Sequence, residues 1–358
     1  MPGGSDIRVG LIGFGLGGAT FHAPLIATTK GMRLAAVVTS DPGRRAQAER
    51  DHPGVSVVPS ADALWERAGE LDLIVVTTPN RTHVPLATAA LEHGLHVVAD
   101  KPFAPTATEG QRLVDEARRR GRVIVPFHNR RWDGDARTLR RLLDEGALGE
   151  VHRFESRYER WRAVRKPRWC EPDAHANAEG IIYDLGTHLV DQALWLFGHV
   201  THVYAETDRR HPDVTVEDDA FLALTHASGV RSHLHARMNA AQLGPRMSVL
   251  GSRAAWVKYG MDPQEEALKA GGRPGAPAWG EEPNDQWGRL GAGDDVRPVR
   301  TEPGAYPRFY EGVLRAVRDG APPPVAPEDA VAGLAVIDAA YQSAAEGRVI
   351  PLRAGGSS

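Results

Sequence analysis

The segment YDLGTHLVDQALWLF (183–197) carries Asp184 and His188 four residues apart, in an apolar stretch with helical spacing. Residues at i and i+4 share one helix face, so the two side chains should project together. A carboxylate beside an imidazole can orient the ring and stabilise its protonated form, as general acid–base catalysis requires. A helix-surface pair or a satisfied core histidine would show the same spacing. The pair therefore needs partners before it means catalysis. No second His–carboxylate cluster has ligand spacing, so no metal is expected.

One such partner is Lys101, in VVADKPF (97–103), after an apolar run and between Asp100 and Pro102. The chain has only five lysines against 38 arginines. An ammonium is a compact charge with a tunable pKa, suited to gripping a hydroxyl or carbonyl oxygen. A surface charge after a strand would look the same in isolation. A further partner is GFGLGG, which sets Gly13, Gly15 and Gly18 in a G-x-G-x-x-G pattern with Phe14 in the loop. It follows a predicted strand and opens the helix-like ATFHAPLIATT, the context that a dinucleotide loop requires. Its glycines would let a pyrophosphate approach helix N-terminal N–H groups.

The end of the second predicted strand bears on which dinucleotide. An NAD site expects an acid there for the ribose hydroxyl. VVTSDPGRR offers Thr39 and Ser40, with Arg44 and Arg45 following. Small hydroxyls and a guanidinium suit a 2′-phosphate, so NADP is favoured over NAD. Asp41 belongs in the turn, because Asp-Pro initiates turns.

These residues need elements to position them. The runs 7–14, 34–39, 71–78, 96–101 and 122–127 are nearly continuous in Val, Ile and other apolar residues, as for strands buried on both faces of a parallel sheet. Helical patterns at 63–70, 83–94 and 106–121 lie between them. The pattern predicts an α/β doubly wound Rossmann domain over 1–126. Ligands of such sheets bind outside the carboxyl ends of the strands, where Lys101 and TTPN (77–80) fall.

After this the texture changes. Helix 137–149 precedes strands at 151–159, 201–207, 219–227, 230–238 and 247–257, and helices at 308–320 and 327–347 close the chain. In VRSHLHARM, Val230, Ser232, Leu234 and Ala236 alternate with polar residues, as in a half-buried antiparallel strand. Residues 127–358 are thus expected to form an α+β domain with a large, mostly antiparallel open sheet. The Gly-, Pro- and Asp-rich stretch 258–306, with Trp279 and Trp287, is too long to be structureless, so a packed excursion or a lid is expected.

Composition excludes other classes. The net charge of −3 supplies no basic field for nucleic acid. No apolar run approaches a membrane span, and the N-terminus lacks the pattern of a signal peptide. The single Cys170 rules out an internal disulfide framework. A cytoplasmic location is the default. His233 and His235 read as interface or solvent residues rather than metal ligands. Trp161, Trp169 and Cys170 either shape the pocket rim or pack in the core. Arg118, Arg119 and Arg120 suit a helix C-terminus.

As a set, GFGLGG, TTPN with His83 beyond it, DKP (100–102), FHNRRWD (127–133) and YDLGTHLVD (183–191) resemble the Gfo/Idh/MocA family of nicotinamide-dependent sugar and polyol oxidoreductases. KYGMDPQEEALKAG (258–271) and TFHAPL (20–25) are similar to the branch with NADP-dependent scyllo-inositol dehydrogenase. The resemblance covers essentially the whole chain. It implies that Lys101, Asp184 and His188 are catalytic, with Asp191 structural. It also implies that Asn129 contacts substrate or nicotinamide, and that Thr78, Pro79, Asn80 and His83 line the cofactor. Asp100 stands where the family has Glu, and is expected to position Lys101. A polyol or sugar substrate, NADP, and a homodimer or homotetramer built through the C-terminal sheet follow as expectations.

Overall fold

The computed structural model describes residues 5–162 and 166–352, so the outermost residues of both expected domains lie outside the described residues. Six strands form the first sheet: β1 (Ile7–Ile12), β2 (Met32–Val38), β3 (Ser56–Val58), β4 (Leu73–Val76), β5 (His96–Ala99) and β6 (Ile124–Pro126). They pair in parallel in the order β3-β2-β1-β4-β5-β6. Every residue of β4 is buried, as helices on both faces of a parallel sheet demand. β3 was not anticipated; three residues at a sheet edge give no readable period. Several strands stop before their apolar runs do. GFG, TTPN and Asp100–Lys101 are thereby left as loops at the carboxyl ends. The strand order reverses between β1 and β4, which is where a doubly wound sheet opens a crevice.

The second sheet has nine strands: β7 (Val151–Glu159), β8 (Val200–Asp208), β9 (Asp219–His226), β10 (Arg231–Arg237), β11 (Met247–Gly251), β12 (Ala255–Lys258), β13 (Arg289–Ala292), β14 (Asp295–Pro298) and β15 (Ile350–Pro351). Their order is β14-β13-β12-β11-β7-β10-β9-β8-β15, antiparallel except for the parallel pair β7–β10. The single strand expected over 247–257 is a hairpin, β11 turning into β12. Gly251, at the end of β11, lets the segment before β7 approach closely: a Cβ there would lie 2.1 Å from the Leu148 carbonyl oxygen.

The 258–306 stretch is packed, not structureless. It contributes the β13–β14 hairpin and a short helix, Gln264–Lys269. Gln264 ties it together, accepting from Trp279 Nε1 at 2.9 Å and from the Tyr306 N–H at 2.7 Å. The helix Pro307–Asp319 then returns to the first sheet. Its Phe309, Tyr310 and Val313 are buried in one cluster with Val9, Leu11 and Phe127. At about 1.5–3 kcal/mol for each buried large apolar side chain, this packing joins C-terminal residues to the N-terminal core. A division of the chain at residue 126 therefore describes the sheets but not the packing. The helix Pro327–Glu346 lies against β8 and against the first-domain helix Ala107–Arg119. No helix among the described residues is long and apolar enough to cross a membrane.

Candidate active site

The glycine loop leaves β1 at Gly13, whose φ of +100° favours glycine. A Cβ on Gly13 would lie 2.5 Å from the Thr77 carbonyl oxygen, and one on Gly18 would lie 2.1 Å from the Gly13 carbonyl oxygen. At Gly15 the nearest atom to an added Cβ is Arg44 Nη1, at 3.9 Å. The first glycine makes the tight turn, the third lets the helix pack on the strand, and the second keeps the backbone open. Those are the roles that a bound dinucleotide requires of the three, so the loop fits the group. Phe14 takes part in the loop through its backbone. Its ring is buried in the core, edge-on to His52.

Past the loop, the chain winds as a π-type turn, Gly17–His22, before the α-helix Ala23–Thr28. Arg44 and Ser40 are exposed at the end of β2, and Thr39 is buried. Asp41 caps the helix Pro42–Asp51, its Oδ1 accepting from the Arg44 N–H at 2.8 Å. That carboxylate is thus engaged by its own helix.

At the end of β4, Thr77 Oγ1 donates to Asp100 Oδ2 at 3.0 Å, and Thr78 Oγ1 bonds Thr82 Oγ1 at 2.6 Å. Pro79 leads into the turn Asn80–Thr82. Two expected cofactor contacts have other tasks here. His83 is buried, with its ring nitrogens 2.8 Å from the carbonyl oxygens of Pro102 and Thr78. It braces the TTPN loop against the Lys101 corner. Asn80 Nδ2 donates across to the Ala178 carbonyl at 2.8 Å.

Asp100 Oδ1 accepts from the Lys101 N–H at 2.8 Å, and His22 Nε2 lies 3.6 Å from Oδ2. His22 in turn contacts the Tyr310 hydroxyl through Nδ1 at 2.6 Å. Burial pushes the Asp100 carboxyl up, but His22, with His83 and Lys101, outweighs it and holds the group well below the usual carboxylate range. TFHAPL therefore supplies the partner for the shorter Asp100. His22 was visible in the sequence only as part of that string.

Lys101 reaches from the end of β5 to the segment carrying Asp184. Its Nζ donates to the Asp184 carbonyl at 2.6 Å and to Oδ1 at 3.2 Å. Lys166 donates to the other carboxylate oxygen, Oδ2. Burial pushes the Asp184 carboxyl up, yet Lys101 and then Lys166 hold it ionised, well below its ordinary value. The expected bond between Asp184 and His188 is not made among the described residues. Ile182–Gly186 winds as a π-type turn, which takes more residues per turn than an α-helix. A four-residue spacing then no longer stacks the two side chains.

His188 opens the following α-helix, Thr187–Phe197, and is 6% exposed. Its Nδ1 is buried without a hydrogen-bond partner among the described residues. The Tyr158 ring stands edge-on at 6.1 Å, so packing holds the imidazole. Burial, with the charges of Lys101 and Arg130 nearby, drives its pKa well below 6.5. The imidazole is neutral at pH 7, as a general base must be.

Asp191 lies away from this chemistry. Arg131 grips it through Nε and Nη2, at 2.9 and 2.6 Å to Oδ2 and Oδ1. Asn129 is buried in the turn Asn129–Trp132, and its amide makes no hydrogen bond among the described residues. Trp169 is a core residue, and Trp161 is 66% exposed. Lys166, the residue that sequence reasoning missed, had one signal: it is one of only five lysines.

Two profiles of one family match the chain. The one described as "Oxidoreductase family, NAD-binding Rossmann fold" covers residues 7–128, and "Oxidoreductase family, C-terminal alpha/beta domain" covers residues 140–352. The chain is 42% identical over 341 residues to the uncharacterized oxidoreductase YdgJ of Escherichia coli, covering 95% of this chain and 96% of that one. It is 32% identical over 350 residues to scyllo-inositol 2-dehydrogenase (NADP(+)) IolW of Bacillus subtilis, covering 97% and 96%. The solved structure of the B. subtilis oxidoreductase yvaA superposes with a TM-score of 0.90 at 32% identity, covering 98% of this chain and 100% of that one. With the dinucleotide cradle at the switch point of the parallel sheet and the lysine, aspartate and histidine beside it, these matches place the chain in the Gfo/Idh/MocA family of oxidoreductases.

Proposed function

We propose that this protein is an NADP-dependent dehydrogenase or reductase acting on a secondary alcohol or ketone of a cyclic polyol or sugar of the inositol type. The observation that carries the reading is Lys101 Nζ on Asp184, beside a neutral His188, at the mouth of the dinucleotide crevice. In alcohol oxidation, His188 takes the hydroxyl proton. Lys101 donates to the same oxygen and stabilises its developing negative charge. Asp184 keeps the Lys101 ammonium aimed. In ketone reduction, the same groups return the proton and polarise the carbonyl. When bound, the nicotinamide supplies the acceptor or donor of the hydride.

Exposed Ser40, and Arg44 lying over Gly15, support NADP over NAD, since both can donate to a 2′-phosphate. The name of the B. subtilis relative points the same way. Cytoplasmic residence and a homodimer or homotetramer complete the reading. The open face of the second sheet, where His233 and His235 stand beside Phe221, suits a subunit interface.

The test is nicotinamide absorbance during incubation with cyclic polyols and their ketones, using NADP(H) and NAD(H) in parallel. Turnover of an inositol-type substrate, faster with NADP(H), is expected. Tight NADPH binding without turnover of any polyol or ketone would sink the enzymatic assignment and leave a cofactor-binding sensor.

A further inference from the structure

We propose that Lys166 is a substrate-binding residue of this active site, one that holds the substrate oxygen next to the reacting carbon. The inference rests on the polyol reading above and names what that polyol must present.

Lys166 lies at the entry to the turn Pro167–Cys170 and reaches back to Asp184. Two of the chain's five lysines therefore meet on one carboxylate, one at each oxygen. One ammonium would neutralise Asp184; the second is surplus charge. A second carboxylate that feels Lys166, Glu179, already has a cation partner. Arg168 is paired with Glu179 at 2.8 Å, and Lys101 is itself a cation. A further neighbour is the Trp169 ring, with the Lys166 Nζ 4.9 Å from its centroid. A cation over an indole face is held in place without a hydrogen-bond acceptor being supplied.

An ammonium carries three N–H donors. Among the described residues, Lys166 has a single hydrogen-bond acceptor, Asp184 Oδ2. The site is also reachable: the side chains of Lys101, Lys166 and Asp184 are 21%, 24% and 16% exposed. Burial and the Lys101 charge lower the Lys166 pKa, while Asp184 opposes them. The amine is therefore poorly solvated and gains from a further oxygen. Geometry chooses which oxygen. The two ammoniums already bracket two oxygens joined through one carbon. A vicinal diol likewise presents two neighbouring oxygens, one on each of two adjacent carbons. With Lys101 on the reacting oxygen, Lys166 is placed for its neighbour. A lone alcohol would leave Lys166 without a substrate partner, and buried donors left unmatched make a site reject such analogues.

The experiment uses a cyclic polyol that the full chain oxidises with NADP, and the analogue lacking the hydroxyl beside the oxidised carbon. The wild type should prefer the polyol. Lys166→Met should lose roughly 10- to 100-fold in kcat/KM on the polyol, the worth of one charge-assisted hydrogen bond. The loss should fall mainly in KM and should be clearly larger on the polyol than on the deoxy analogue, where only the support of Asp184 is lost. Lys166→Arg should restore part of it. Fluorescence titration with NADPH checks folding; if Lys166→Met fails it, the same ratio is read from Lys166→Gln. Equal losses on both substrates, or a wild type indifferent to the missing hydroxyl, would overturn the inference and leave Lys166 as a structural clamp on Asp184. A wild type that oxidises no cyclic polyol would instead bring down the proposed function, and this inference with it.

Discussion

Asp184 and Asp191 sit seven positions apart on one continuous helical segment, and the structure treats them differently. Asp191 is 3% exposed and held by Arg131, whose planar fork takes both carboxylate oxygens while Nη1 reaches Asp329 at 3.0 Å. Asp184 opens toward the cleft and is held by lysines. In a chain that writes 38 of its 43 basic residues as arginine, the choice of lysine at Asp184 is informative. A guanidinium fork fixes a pair permanently; an ammonium is a point charge that can share its donors with an arriving oxygen. Burial decides between a pair that locks the fold and a pair that exchanges with substrate.

The largest effect should come from breaking the buried pair. Asp191→Ala leaves the buried Arg131 with only the half-exposed Asp329 as a carboxylate partner and should destabilise the fold by up to about 3–5 kcal/mol. Asp184→Ala should lower turnover sharply, with a much smaller change in the denaturant midpoint. Unfolding curves of the two variants decide the matter, and equal destabilisation would erase the contrast.

Next in size are the catalytic variants. Lys101→Ala or His188→Ala should lower kcat by about 10²–10³, as when one preorganised electrostatic contact is removed. Lys101→Arg keeps the charge but not the compact shape, so NADPH binding should survive while turnover falls. Near-normal rates in all of these would refute the catalytic assignment.

The smallest effect is on pH dependence. The His188 pKa is lowered, so its ring stays neutral as the pH falls through 6.5. Alcohol oxidation needs the neutral ring. The kcat/KM profile should therefore stay level through pH 6.5 and fall only below it. Because Lys101 helps to depress that pKa, the residual activity of Lys101→Ala should show its acid limb at higher pH. An acid limb above 6.5 in the wild type would contradict the buried, neutral base.

Much of this was legible in advance because it is local. The glycine spacing, the apolar runs and the Asp-Pro turn each involve a few neighbouring residues. The partners of Asp184 were not legible. Lys101 and Lys166 lie 83 and 18 residues away in sequence, and no period connects them. The same applies to His22 under Asp100 and to Tyr310 beyond it, 288 residues from His22. The four-residue spacing of Asp184 and His188 yields no direct hydrogen bond for a local reason: the segment winds as a π-type turn, although the Asp184 charge still acts on the imidazole.

The sequence by itself determined the parallel dinucleotide sheet, the glycine cradle and the identity of the lysine, aspartate and histidine. Apolar periodicity and glycine sterics act over short stretches that a reader can scan. Only the tertiary structure decided what each charge touches. It set two lysines on the Asp184 carboxylate, gave His83 and Asn80 hydrogen bonds to backbone carbonyls, and completed the N-terminal core with a helix from beyond residue 306. Hydrogen bonds and burial depend on which distant segments the fold brings together, and no local pattern records that.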